Sequence, residues 1–382
     1  MYERKLRAWL EAGLVDEPTA ARIRAWEAQH SRPLALWAVI GIAALAIGLG
    51  VVLVVAANWD DIPGQVRLAV HLALIALAAG YLWRSGDDLA QRQPWGLEAV
   101  LFVLGMLGMT FLAHVGQVYQ TASPLWQPLA LWLVLFGPVL LLRGQSWLAA
   151  LLLFMVSVYA AWDYAEPLGG AIWGRRVGPG PLAVTVVTAL PLLYAPFAAW
   201  WRTRSARTAF WLRLEQLGFA YGVGATSLIV IGSGGDSFDN DSNHWLSFGM
   251  LALRAAFAVA AGAAIAAARP GKSGQATGGI LALCAALLVI SHPLSGNSVL
   301  AALLFMALWA GIAGASLHAG WRGVFQTAVA LIAMRLIVLS FELDDNLLTS
   351  GAGLIFSGLL ILGIAWGAMR IARTFAPPKE TA

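Results

Sequence analysis

"LALWAVIGIAALAIGLGVVLVVAANWDDIPGQVRLAVHLALIALAAGYLW", residues 34–83, decides the fold. Two long apolar runs are separated by one short polar stretch, "ANWDDIPGQVRLA" at residues 57–69. A bilayer core needs about 20 predominantly apolar residues per helix. Backbone groups in lipid must also be paired within the segment, which favours helices. The polar stretch then reads as a turn at the membrane edge. Trp59 is its interfacial anchor, Asp60 or Asp61 a helix cap, and Pro63 belongs to the first turn of the next span.

Composition extends this reading to the whole chain. Of 382 residues, 60% are hydrophobic and 12% charged, against about 25% charged in a soluble domain. A transmembrane barrel would show short segments of alternating polarity, and the continuous Leu/Ala/Val/Gly runs exclude it. The expected fold is an all-α polytopic membrane bundle with about twelve transmembrane helices. They are placed at residues 34–57, 66–83, 96–116, 127–142, 146–164, 180–201, 208–232, 245–268, 276–292, 298–317, 323–342 and 348–370. The fourth and ninth are short for a full span, and the fourth contains Pro138.

Three domains follow. Residues 1–33 form a polar module of two short amphipathic helices, with Gly13 ending the first and Asp16 capping the second. Residues 34–370 form the membrane domain, and residues 371–382 a tail. The module is too long and polar for a cleaved signal peptide. Its helices cannot bury a core alone, so it docks on the bundle or offers a surface to a protein partner.

Basic residues set the orientation, because Lys and Arg are retained on the cytoplasmic side. With the N-terminus inside and twelve spans, 18 basic residues fall in inside segments and 3 in outside loops (Arg67, Arg175, Arg176), leaving Arg213, Arg254 and Arg335 within spans. Both termini are expected in the cytoplasm, with the chain in a bacterial cytoplasmic (inner) membrane. The net charge of +4 is therefore a matter of topology, and no basic face for nucleic acid is present. The single cysteine, Cys284, excludes an intramolecular disulfide and a thiolate cluster.

Residues 6–26, "LRAWLEAGLVDEPTAARIRAW", leading into "GIAALAIGLGVVLVVAANWDDIP" at residues 41–63, together with "AHVGQVYQTASPLWQ" at residues 113–127, resemble a bacterial membrane family, the domain-of-unknown-function family 2157. A weaker likeness lies near Arg335 and "FELDDNLLTSGAGLIFSGLLILGIAW". The resemblance implies a multi-pass membrane protein of unassigned activity and supplies no mechanism.

Candidate site residues come from charge and polarity at bilayer depth, where they are costly and suggest function by default. Arg254 lies nine residues into its expected span, about 13 Å deep at 1.5 Å per residue. Arg335 stands seven residues before Glu342 on one helix face. Glu215, with Arg213, lies near the inner end of its span, and Glu98 at the start of another. His114, Gln117, Tyr119 and Gln120 close the third span, spacings of three placing His114, Gln117 and Gln120 on one face. The outer connections collect Asp60, Asp61, Asp239, Asp241, Asp344 and Asp345 into an acidic face. Each set has a plainer reading: buried ion pairs that lock helices, hydrogen bonds between helices, and acids tolerated outside because they barely influence topology.

Metal and cofactor signatures are missing from the sequence. "DNDSNHW" at residues 239–245 begins like a calcium loop, but His244 replaces the turn glycine and Met250 the bidentate glutamate. The histidines show no paired metal spacing. "GSGGDS" at residues 232–237 lacks the lysine of a phosphate loop, and no G-x-S-x-G elbow occurs. No metal or cofactor is expected, and nothing argues for a soluble-type enzyme.

Three functional readings remain. The first is a transporter-like protein with a polar path near Arg254 beneath an acidic outer face. The second is a structural or regulatory membrane component acting through the N-terminal module. The third is an intramembrane enzyme on envelope or lipid-linked substrates. The bilayer is the common partner, and the glycine pairs Gly218/Gly222 and Gly363/Gly367 suit helix packing or a homo-oligomer.

Overall fold

A computed structural model describes residues 6, 9–30, 42, 46, 62–121, 123–165, 180–235, 246–343 and 351–375. The chain divides into two units, residues 1–67 and 68–382.

In the first unit, helix α1 spans Glu17–His30. The Thr19 amide donates to Asp16 Oδ1 at 3.1 Å, so Asp16 is the expected N-cap. Leu6 and Ala20 are buried. The last residues of this unit open helix α2, Gly64–Arg92. Pro63 stands one position before its place in the expected first turn, since its carbonyl accepts from the Val66 and Arg67 amides at 2.9 and 3.2 Å.

The second unit continues with α3 (Pro94–Val118), α4 (Trp126–Arg143) and α5 (Trp147–Ala165). A sixth span is built from α6 (Pro181–Ala189), a 3-10 turn (Leu190–Leu193) and α7 (Tyr194–Arg202). Then come α8 (Thr208–Gly232), α9 (Phe248–Ala268), α10 (Lys272–Ser291), α11 (Ser298–Ala319), α12 (Arg322–Leu343) and α13 (Gly351–Phe375). Ten helical stretches between Gly64 and Leu339 are long and apolar enough to cross a membrane. The fold is an all-α polytopic bundle, with no strand among the described residues. Eleven of the twelve expected runs carry helices, α13 being the eleventh. The run at residues 34–57 lies, but for Ile42 and Ala46, outside the described residues. The ninth run, short in the sequence, is complete because α10 begins four residues earlier, at Lys272.

Glycines set the closest helix approaches. A Cβ on Gly218 would meet the Ala195 backbone nitrogen at 2.6 Å, and one on Gly222 would meet Leu192 Cδ1 at 2.8 Å. That pair therefore packs α8 against the sixth span. Gly262 of α9 and Gly278 of α10 likewise face each other backbone to backbone. The other pair, Gly363 and Gly367, has nothing within 4 Å. Cys284 is fully buried with Val230, Leu308 and Ile312 in the core shared by α8, α10 and α11.

Candidate functional site

The sixth span is broken by its own prolines. Pro191 lacks an N–H, and its ring conflicts with the carbonyl four residues back; Pro196 repeats the problem one turn later. The backbone tightens into the 3-10 turn Leu190–Leu193, and one carbonyl at the break finds a partner outside its own helix. The Tyr221 hydroxyl of α8 donates to the Thr188 carbonyl at 2.5 Å, as buried backbone acceptors require. Arg254 of α9 lies within electrostatic range of Tyr221.

The other side of the break faces a groove of about 680 Å³ between α4, α5 and the sixth span. Leu133, Ala160, Val187, Leu190 and Phe197 belong to its apolar wall. Its polar point is Ser157 with Tyr194, their hydroxyl oxygens 2.8 Å apart. Ser157 also donates to the Leu153 carbonyl at 2.8 Å, so the Tyr194 hydroxyl supplies the proton between the two. At one end Trp126 and Tyr164 meet edge to face, centroids 5.3 Å apart. Beside them Asp163 Oδ2 accepts from the Trp126 amide at 2.7 Å, closing the start of α4. An apolar groove with one polar point suits an amphipathic molecule.

Arg254 is buried at 9% exposure and lines neither this groove nor the second cavity described below. Helix α9 begins at Phe248 rather than near 245, so Arg254 lies six residues in, about 9 Å at helical rise. Arg335 is spoken for: its two terminal nitrogens donate to both Glu342 oxygens at 2.7 and 3.0 Å. The seven-residue spacing makes a bidentate ion pair within α12 itself, so it ties no helix to another.

Glu215 does not pair with its neighbour Arg213. It is buried, bonded by Arg269 from the end of α9 and faced by Arg202 from the end of α7 at 3.4 Å. Arg213 instead donates to Gln216 and covers the Trp147 ring at 4.8 Å. Glu98 has a third role. One of its oxygens accepts from the Gln145 and Ser146 amides at 2.5 and 2.9 Å, the other from Ala149 at 2.9 Å. A buried carboxylate from α3 thus caps α5, where the helix dipole favours negative charge.

The polar face around His114 is rearranged. His71 of α2 meets it, Nδ1 to Nδ1 at 3.1 Å, and Thr110 Oγ1 lies 3.0 Å from His71 Nε2. Thr110 donates its own proton to the Met106 carbonyl. The network therefore assigns the His71 proton to Nε2 and makes His114 the donor between the rings. Gln117 and Tyr119 are exposed, and α3 ends at Val118, because Gln120 turns into the left-handed region at φ 52. Gln120 therefore does not continue the face that spacing along an unbroken helix implied.

The six carboxylates expected to form the acidic outer face, Asp60, Asp61, Asp239, Asp241, Asp344 and Asp345, lie outside the described residues, as does the whole "DNDSNHW" segment. Among the described residues no three His, Cys, Asp or Glu side chains gather as a metal site would need.

Sequence reasoning missed Ser157, Tyr194 and Tyr221 as partners. The signal was present in Pro191 and Pro196, five residues apart in an otherwise good span, since paired prolines mark a break at which side chains from other helices must satisfy the backbone. No curated protein and no solved structure matches the chain. Residues 7–166, from the N-terminal module through α5, match the model of the family described as "Predicted membrane protein (DUF2157)", whose function is unknown.

Proposed function

We propose that this chain is transporter-like and handles an amphipathic, lipid-like molecule, whose apolar part occupies the groove beside the broken sixth span. The observation that carries the reading is the groove itself, about 680 Å³ of apolar wall with the Ser157–Tyr194 pair as its polar point. Discontinuous spans at binding sites are a recurring device of transporters, because local loss of helix frees backbone groups and permits movement. In this reading Arg254 does not line the path. It lies near Tyr221, whose hydroxyl holds the Thr188 carbonyl. The chain would sit in a bacterial inner membrane with both termini cytoplasmic, the groove then opening toward the outer leaflet.

The test is a proteoliposome assay with a phospholipid carrying a fluorescent, dithionite-quenchable headgroup. Wild-type protein should raise the rate at which outer-leaflet label becomes protected. Ala160→Trp, which fills the groove, should reduce that rate at least tenfold while retaining the wild-type elution profile. Equal rates for the variant and the wild type, or no increase over protein-free vesicles, would refute the proposal.

A further inference from the structure

A second cavity, of about 310 Å³, lies between α8, the start of α10 and the start of α12. Following the helices up and down places it at the opposite end of the bundle from the Trp126–Tyr164 contact. Its lining has two unlike halves. Gly323 and Val324, in the first turn of α12, border the cavity, and among the described residues their amides donate to no backbone carbonyl. A Cβ on Gly323 would meet nothing within 4 Å, so that approach is open. Arg269 adds its positive charge, with one nitrogen on Ser273 Oγ at 2.7 Å. Helix first turns and guanidinium groups both favour phosphate.

The other half is Glu215, 4% exposed. One of its oxygens is bonded by Arg269. The other, Oε2, receives no hydrogen bond and has only the Arg202 guanidinium at 3.4 Å. This buried oxygen is ion-paired with Arg202 but has no aligned hydrogen-bond donor, so it can still take an N–H from a ligand. Free phosphate has no N–H to offer this carboxylate. A quaternary ammonium has no proton to donate to it. Leu212, Phe219 and Trp321 offer apolar surface for a glycerol backbone and the first methylenes.

We propose that this cavity binds a phosphoethanolamine headgroup, with the phosphate against the α12 first turn and Arg269 and the ammonium against Glu215 Oε2. Basic pockets between spans are an established kind of headgroup site, and here the carboxylate selects the primary amine. The site is separate from the groove and is read by headgroup rather than by lipid movement, so either proposal can fail alone.

The test uses the full chain in nanodiscs of equal parts phosphatidylethanolamine, phosphatidylcholine and phosphatidylglycerol, with retained lipid read by native mass spectrometry. Phosphatidylethanolamine should be retained at least tenfold over both others. Gly323→Glu, which places a negative charge in open space at the phosphate end, should abolish that preference at unchanged thermal stability. Glu215→Gln should bring phosphatidylethanolamine down to the phosphatidylcholine level. Displacement by soluble phosphoethanolamine would assign the site to the free headgroup, and resistance to it to the intact lipid; both support the chemistry. Equal retention of the ethanolamine and choline lipids, preference for phosphatidylglycerol, or full retention by Gly323→Glu would overturn it.

Discussion

Replacing Glu98 separates two contributions that its carboxylate makes to the bundle. One oxygen holds the Gln145 and Ser146 amides and the other the Ala149 amide, all at the start of α5. A buried donor left without an acceptor costs about 1–3 kcal/mol. Glu98→Ala orphans three, which predicts a loss of about 3–9 kcal/mol on the same scale. Glu98→Gln keeps one carbonyl oxygen for Gln145 and Ser146, but sets its NH₂ against the Ala149 N–H. That loses one bond, and with it a charge–dipole interaction of about 0.3–2 kcal/mol, for a total of about 1–5 kcal/mol on the combined scales. Equilibrium unfolding by SDS in mixed micelles, followed by tryptophan fluorescence, measures both. The expected order is wild type, Gln, then Ala, with Ala at least about 1 kcal/mol below Gln. An Ala variant within about 1 kcal/mol of wild type, the scatter of ordinary surface changes, would refute the assignment of Glu98 as the cap of α5.

Two further outcomes are expected. Gly218→Ala places a Cβ 2.6 Å from the Ala195 nitrogen, so α8 must move off the sixth span at a cost of about 1–3 kcal/mol. Gly363→Ala, with nothing within 4 Å, should be neutral or stabilising by up to about 1 kcal/mol, and the same unfolding assay compares the two. Asp16 is held below its usual 3.8 by the Thr19 side chain, then by the Thr19 amide. A depressed folded pKa means that the capping contribution is fully present above 3.8 and is lost as pH falls through the lower folded value. The Asp16 carboxyl should therefore titrate below 3.8 by NMR in the full chain. A midpoint at or above 3.8 would remove the cap.

Much of the fold was legible because hydropathy and helix are nearly the same signal in a membrane chain. The run at residues 208–232 coincides with α8 to the residue, and the Gly218/Gly222 spacing pointed to the close approach that it makes. Apolar content does not register a break, however. Pro191 and Pro196 leave a span as hydrophobic as its neighbours, so the turn at Leu190–Leu193 was invisible to hydropathy alone. Pairings were less legible because they are set by the bundle rather than by the chain. Glu215 has a guanidinium two positions away in Arg213, yet it is held by Arg202 and Arg269 from the ends of two other helices. His114 was legible as a polar residue in a span, but not its contact with His71, 43 residues earlier. Glu342 is the exception, since its seven-residue spacing from Arg335 was legible and the two form an ion pair within α12.

Cys284 gives the chain a practical property. It is the single thiol of 382 residues and is fully enclosed by the cores of α8, α10 and α11, so an aqueous maleimide has no sulfur to find while the bundle stays folded. The native protein is its own unlabelled background. A cysteine placed in any one connection, such as at Thr203 or Ser295, becomes the sole address for a probe, and its reactivity from either side of a vesicle maps the weave of the helices directly.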